Sequence, residues 1–210
     1  MNELTEQELK YCRNDVTILS KVYKKGVRQM KKPIFDYKRK AKHYSYGGLR
    51  TLGSIEAVVI HWTEGAVDTA KNNCDYFANG NTRNAGAHIF IDYNGLTGLS
   101  VPLRRIAWSV MSKGYSDGAY GGIYDNTNTV SIELCGLRDL DDIERGWRYP
   151  SEKQLLALSR ICRYISRKCP NCKDVVRHYD IRRKPCPLPY VEDTASWKTL
   201  RKQLKVFFEH

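Results

Sequence analysis

The chain has 210 residues, a formal net charge of +12 and 41% hydrophobic residues, which suits one sizeable core with an extension. No stretch approaches the ~20 apolar residues of a membrane span, and the start, Met-Asn-Glu-Leu-Thr-Glu, lacks the features of a signal peptide. The seven cysteines are an odd number, which fits a reduced, cytoplasmic chain better than a disulfide framework.

Positive charge is concentrated at the N-terminus. Residues 1–50 carry 13 Lys/Arg and 5 Asp/Glu, a net charge of +8, which leaves +4 for residues 51–210. A capping box that begins at Thr5 and the apolar spacing after it predict a helix over about 5–25. We therefore predict a basic helical extension and linker over residues 1–50 and a separate domain over 51–210. The extension is either a solvated linker or a contact for a polyanion.

The pattern after residue 55 alternates between strands and helices. The continuous apolar run Ala57–Ile60 predicts a strand buried on both faces. Further strands are predicted over 88–92, 96–101, 130–134 and 174–176, with a hairpin turn at Asn94-Gly95. Helices are predicted after Asp68, after Ser151 and around Trp197. Residues 112–129, rich in Gly, Asn, Asp and Tyr, predict a long surface loop of the kind that often binds ligands.

Two histidines and one cysteine form a candidate metal site. His61 and His178 each follow a predicted strand directly, and Cys186 lies in a stiff segment between two prolines. Neutral imidazole and thiolate are the usual ligands of zinc, and three protein ligands leave a fourth position open for chemistry. We choose His61, His178 and Cys186, with His88 as the substitute for His61. The competing interpretation is that the histidines are ordinary core residues and Cys186 is a small buried hydrophobe.

Two further residues suit hydrolytic chemistry at such a site. Glu133 lies within the alternating strand 130–134, with its carboxylate directed away from the apolar side, so it is a candidate general base. Lys184 lies two residues before Cys186 in an extended segment, so both side chains point the same way. Its ammonium could stabilise an oxyanion, although a solvated lysine in a basic run is the alternative.

Several short motifs, in this order along the chain, resemble the zinc-dependent N-acetylmuramoyl-L-alanine amidases of the type 2 family. That family includes phage endolysins and is related to peptidoglycan recognition proteins. The resemblance covers residues from about 52 to 200. It rests on Val-Val-Ile-His61-Trp-Thr, Asp68-Thr-Ala-Lys-Asn-Asn, Asn84-Ala-Gly-Ala-His88-Ile-Phe-Ile-Asp, Val101-Pro-Leu with Ala107-Trp108, Asn128-Thr-Val-Ser-Ile-Glu133-Leu, and Arg177-His178-Tyr-Asp with Lys184-Pro-Cys186-Pro.

The resemblance implies an α/β fold with a mixed central β-sheet flanked by helices, and a groove for peptidoglycan. By position it assigns zinc to His61, His178 and Cys186, base catalysis to Glu133 and oxyanion support to Lys184. It gives His88 a supporting role. Ala87 stands where some members of the family carry a catalytic tyrosine, so the chain follows the branch that uses glutamate. Trp62, Thr63 and the tyrosine-rich loop are expected to line the groove.

The implied reaction is hydrolysis of the amide between N-acetylmuramic acid and L-alanine in peptidoglycan. We expect a phage endolysin held in the host cytoplasm until lysis, or one carried in the virion, with anionic wall polymers as partners of residues 1–50. A non-catalytic peptidoglycan-binding module of the same fold is the first alternative. The second is a nucleic-acid-binding protein, suggested by the basic N-terminus and a polymerase-like Tyr11–Asp15 motif, and it is the less favoured of the two.

Overall fold

The computed structural model describes residues 33–111, 116–136 and 149–209, so the predicted N-terminal helix lies outside the described residues. A six-stranded sheet of order β1-β5-β4-β7-β3-β8 forms the centre, and β2 and β6 pair separately. The strands are β1 (Tyr37–Lys38), β2 (Tyr46–Leu49), β3 (Ala57–Trp62), β4 (Ile89–Ile91), β5 (Thr97–Leu99), β6 (Arg105–Ala107), β7 (Thr129–Leu134) and β8 (Asp174–Arg177). Most neighbours in the central sheet run parallel, and β4 with β5 is the antiparallel pair.

Helices cover both faces of the central sheet. They are α1 (Ala70–Asn79), α2 (Glu152–Lys168), α3 (His178–Ile181), α4 (Leu188–Glu192) and α5 (Thr194–Lys205). The apolar stripes of α2 and α5 join the largest core cluster, together with Val58 and Ile60 of β3. Cys74 of α1 packs with Phe90 on the opposite face. This α/β architecture, with a mixed sheet between helices, confirms the predicted fold class.

Local sequence signals account for several element boundaries. Ser151 caps α2, because its hydroxyl accepts a hydrogen bond from the amide of Gln154 at 3.1 Å. Gly95 adopts a φ of 79° in the predicted turn between β4 and β5, a conformation that suits glycine. All six residues of β3 are buried, as the continuous apolar run predicts for a central parallel strand.

Residues 33–50, which the sequence assigns to the basic extension, pack against the residues after them. β1 forms one edge of the central sheet by pairing with β5, and β2 pairs with β6. Asp36 accepts hydrogen bonds from the amide and the hydroxyl of Thr97 at 2.9 Å each. The basic composition of this segment concealed β1 and β2, because short edge strands carry charged residues on their solvent side.

No helix in the described parts of the chain combines the length and the apolar character that crossing a membrane requires.

Candidate functional site

Three parallel strands end side by side and bring His61, Glu133 and His178 together. His61 of β3 pairs in register with Glu133 of β7, and Ile60 pairs with Arg177, the last residue of β8. His178 is the next residue along the chain, at the start of α3. The rings of His61 and His178 have centroids 4.6 Å apart. The site therefore lies at the carboxyl ends of neighbouring strands, where open α/β sheets form their sites.

Cys186 reaches the same point from the loop after α3. Its carbonyl accepts a hydrogen bond from the amide of Tyr179 at 3.0 Å, which holds the loop beside the start of α3. The Cys186 sulfur lies 3.9 Å from Nδ1 of His61. One ligand atom from each of His61, His178 and Cys186 lies within 4.8 Å of the others, and all three residues are buried. This spacing allows one ion to contact all three.

Polar atoms without partners surround this point. In the described chain, Nε2 of His61, both ring nitrogens of His178 and Oε2 of Glu133 are buried and have no hydrogen-bond partner. Buried polar groups in folded proteins are almost always satisfied, so such a cluster requires an explanation. Two imidazoles and a thiol with free lone pairs fit a zinc ion in both number and chemistry.

Burial sets the protonation of the ligands. It lowers the pKa of His178 to about 4, with Lys184 and Arg182 contributing, and it lowers the pKa of His61 well below its usual value. Both imidazoles are therefore neutral at pH 7, with lone pairs free to bind a metal. Burial raises the pKa of the Cys186 thiol, so this group keeps its proton until a cation displaces it.

Glu133 is placed to exchange protons beside the three ligand residues. Its Oε1 lies 3.9 Å from Nδ1 of His61. Burial raises the pKa of Glu133 to about 8, Lys184 opposes this shift, and Asp68 and Glu64 reinforce it. A pKa in this range is typical of carboxylates that exchange protons near neutral pH.

Lys184 lies at the mouth of the site. Its ammonium is 3.8 Å from Oε1 of Glu64, and both side chains are half exposed. Glu64 has a φ of 57°, an unusual left-handed conformation for a residue other than glycine. The position of Lys184 lets its charge act on the site while the ammonium stays in contact with solvent.

His88 lies outside this group. Its Nδ1 accepts a hydrogen bond from the amide of Ser131 at 3.0 Å, and its Nε2 lies 3.0 Å from the carbonyl of Arg105. The guanidinium of Arg50 is 2.8 Å from the same Nε2. Since both ring nitrogens have protein neighbours, His88 is not available as the substitute ligand, and its contacts are those of a structural residue.

The structure places Trp62 and Thr63 away from the open groove. Trp62 is buried and lines a separate small cavity with Pro187 and Tyr190. Its backbone amide donates a hydrogen bond to the sulfur of Cys186, which opposes the rise in the pKa of that thiol. The hydroxyl of Thr63 accepts a hydrogen bond from the amide of Gly136 at 3.0 Å. Trp62 therefore contacts a ligand residue, whereas Thr63 holds the segment after β7.

An open groove of about 950 Å³ runs over His178 and Lys184. One wall is the segment after α3. The other is lined by Asn84, by Trp108, Ser109, Val110 and Met111 after β6, and by Asp117 and Asn126 of the loop predicted to bind ligands. Tyr120 and Tyr124 of the predicted binding loop pack instead against the apolar cluster of Val59 and Val176. Packing of these tyrosines fixes the loop, while Asp117 and Asn126 face the groove.

Comparison with known proteins identifies the family. The family profile described as N-acetylmuramoyl-L-alanine amidase matches residues 51–189. The chain is 27% identical over 170 residues to the N-acetylmuramoyl-L-alanine amidase CwlL of Bacillus licheniformis, covering 79% of this chain and 44% of that protein. It is 28% identical over 174 residues to the amidase BlyA of Bacillus subtilis strain 168, covering 77% of this chain and 44% of that protein. The chain thus spans less than half the length of these curated relatives.

Solved structures share the fold at low sequence identity. The structure of PlyL aligns with a TM-score of 0.60 at 17% identity and covers 80% of this chain and 96% of that one. The PlyG catalytic domain aligns with a TM-score of 0.60 at 18% identity and covers 82% and 94%. With the match over residues 51–189, which includes all the candidate site residues, the chain belongs to the N-acetylmuramoyl-L-alanine amidase family.

Proposed function

We propose that the chain is a zinc-dependent N-acetylmuramoyl-L-alanine amidase that hydrolyses the amide between N-acetylmuramic acid and L-alanine in peptidoglycan. The observation that carries this proposal is the convergence of His61, His178 and Cys186 beside Glu133, under an open groove. The names of the curated relatives support the same reaction.

His61, His178 and Cys186 would hold the ion. Zinc bound there would polarise the scissile carbonyl and make water more acidic. Glu133 accepts the proton of the attacking water and returns it to the leaving amine, which becomes the new N-terminus of L-alanine. Lys184 supports the negative charge that develops on the carbonyl oxygen.

The direct test is to incubate the zinc-loaded protein with purified peptidoglycan and label the new amino termini. We expect N-terminal alanine to accumulate without new reducing sugar ends, and Glu133→Gln to release it on the order of a thousandfold more slowly. Walls that bind the wild-type protein but yield no alanine would contradict the proposal and indicate a non-catalytic recognition module.

We further propose that the protein is a phage endolysin, held in the host cytoplasm until lysis. Among proteins of this fold are an endolysin from Bacillus subtilis, with a TM-score of 0.55 over 80% of this chain, and the Ph2119 endolysin, with a TM-score of 0.52 over 79%. Fractionation of infected cells tests this role: the protein should stay with the cytoplasmic fraction until the membrane is permeabilised. Recovery from purified virions would contradict it in favour of a virion-associated lysin.

Residues 38–42 provide a surface for anionic wall polymers. Lys38 and Lys40 are exposed and lie over aromatic rings, whereas Arg39 is paired with Asp75 at 2.6 Å. Because this segment packs into the fold, substitution tests it better than deletion. Lys38→Gln with Lys40→Gln should weaken wall binding at low salt, and Lys198→Gln with Lys202→Gln on α5 is the matched control.

If the Lys38/Lys40 double variant and the Lys198/Lys202 double variant weaken wall binding equally, the proposed surface is contradicted. A salt-sensitive shift of DNA that depends on Lys38 and Lys40 would instead favour nucleic acid as the partner.

A further inference from the structure

One wall of the groove is strongly cationic. Three consecutive residues, Arg182, Arg183 and Lys184, line it, and Asp117 is the one carboxylate among the lining residues that the structure describes. Such an excess of positive charge in a concave surface attracts anions and raises their local concentration. The roles proposed above use Lys184 and leave Arg182 and Arg183 without one.

The three cations differ in how they are held. Lys184 has Glu64 at 3.8 Å. The guanidinium of Arg183 lies over the ring of Tyr179 at 5.0 Å, and its amide donates to the carboxylate of Asp117 at 2.9 Å. Arg182 is half-buried, and its amide donates to the carbonyl of His178 at 2.8 Å. Over the described ranges, the guanidinium of Arg182 forms neither an ion pair nor a side-chain hydrogen bond. After the amide of Arg183, its charge helps to lower the pKa of Asp117.

The backbone at Arg182 is fixed although its side chain is available. The bond to His178 ties it to the ligand residue, and the loop over residues 116–124 closes against α3 through the amides of Gly118 and Tyr120, which donate to the carbonyls of Ile181 and Asp180 at 2.9 and 2.8 Å. A guanidinium on such a support, facing an open groove, can offer two parallel N–H donors to a carboxylate or a phosphate.

We propose that Arg182 forms an anion-binding subsite of the groove, which positions the substrate and favours substrates with a negative charge near the scissile bond. The proposal rests on the proposed amidase function. Arg182 follows His178 by four residues, about 6 Å along a helix. Two peptide residues span about 7 Å. The free α-carboxylate of an acidic second residue in the stem peptide is therefore within reach of Arg182.

A second source of the anion is a phosphate on the glycan, where an anionic wall polymer is attached. It would bind the guanidinium in the same way as the peptide carboxylate. In either case Arg182 is a positioning residue, because its guanidinium binds a group remote from the reacting atoms. Its loss should raise KM for the anionic substrate and leave kcat within about twofold, since the interaction is present before and during the reaction alike.

The first measurement needs no turnover. The product peptides L-Ala-γ-D-Glu-L-Lys and its α-amide, L-Ala-γ-D-isoGln-L-Lys, are titrated into the zinc-loaded full chain. We expect the wild type to bind the acid about tenfold more tightly than the amide, because a charge-assisted hydrogen bond is lost with the carboxylate. Arg182→Gln should bind the two equally, Arg182→Lys should retain part of the preference, and Arg167→Gln on α2 should retain all of it.

The second measurement compares rates on intact walls and on walls stripped of their phosphodiester polymers. A preference for intact walls that Arg182→Gln removes identifies phosphate as the anion, whereas a lost acid-over-amide preference identifies the peptide carboxylate. Arg182→Gln must be folded, as judged by circular dichroism. If it changes neither the ratio of acid to amide affinity nor the ratio of rates on intact and stripped walls, the subsite is overturned. Peptide binding is measured without hydrolysis, so failure to release alanine would overturn the proposed function separately.

Discussion

Buried histidines occur in two contrasting environments in this chain. His61, His88 and His178 are all buried, and burial lowers the pKa of each. Both nitrogens of His88 have protein neighbours, whereas Nε2 of His61 and both nitrogens of His178 have no hydrogen-bond partner among the described residues. Burial and a shifted pKa therefore do not separate a structural histidine from a ligand. The separation comes from the partners of each ring nitrogen, because a nitrogen already bonded to the protein has no lone pair to give.

The cysteines show the same contrast. Cys186 lies 3.9 Å from a histidine nitrogen, while Cys169 and Cys172 are buried in the main apolar core. In the described ranges, His61, His178 and Cys186 form the one group of three or more potential metal ligands close enough to share an ion. The Cys-x-x-Cys spacing at 169–172 thus serves packing, and proximity to free imidazole distinguishes Cys186.

The largest effect should come from removing a ligand. Cys186→Ala leaves two imidazoles, so zinc content should fall from one ion per chain to near zero. The rate of alanine release should fall on the order of 10⁴-fold. Metal analysis with a wall-hydrolysis assay measures both. Cys162→Ala, which removes a buried thiol remote from the site, is the control, and equal zinc in the two variants would disprove the assignment.

Glu133→Gln should separate chemistry from metal binding. The amide keeps the size of the side chain but cannot accept the proton of the attacking water, so the rate should fall on the order of 10³-fold. Zinc content should stay at one ion per chain, because Glu133 is not among the ligand residues. Retention of more than a tenth of the activity would assign the base to another residue.

His88→Leu should damage stability without removing the metal. The substitution leaves the buried amide of Ser131 and the carbonyl of Arg105 without their partner, which costs about 2 kcal/mol in the free energy of unfolding. Denaturant unfolding of the zinc-loaded protein measures this loss. His43→Leu, at an exposed histidine, is the control. Loss of zinc from folded His88→Leu would contradict a purely structural role.

Of the three ligand residues, only Cys186 should make zinc affinity depend on pH. The pKa of His178 is lowered to about 4 and that of His61 lies well below its usual value, so neither imidazole binds a proton between pH 6 and 8. The pKa of Cys186 is raised, so zinc must release one proton there. In Glu133→Gln, where the neighbouring carboxyl with a pKa of about 8 is absent, affinity should therefore increase about tenfold for each pH unit over this range. Competition with a chelator at pH 6, 7 and 8 measures the slope, and a slope near three would show that the histidines are protonated in the free protein.

The sequence alone determined the main strands and helices around the site, although not β1, β2 or β6. The apolar run before His61, the alternation around Glu133 and the capping box at Ser151 are local signals, and each was confirmed as a strand or a helix start. His61 follows the apolar run of β3 and His178 follows the last residue of β8, so both could be found from their positions near strand ends. Whether these residues hold zinc and catalyse hydrolysis stays a prediction for the experiments above.

Only the tertiary structure decided which side chains meet. The choice between His61 and His88 depends on Ser131 and Arg105, which are 43 and 17 residues from His88. The packing of residues 33–50 depends on pairing with β5, and the groove wall around Arg182 depends on a loop that closes against α3. Such contacts join residues far apart in the chain. The periodicity of a strand or a helix indicates which face is buried, but not which residues pack against that face.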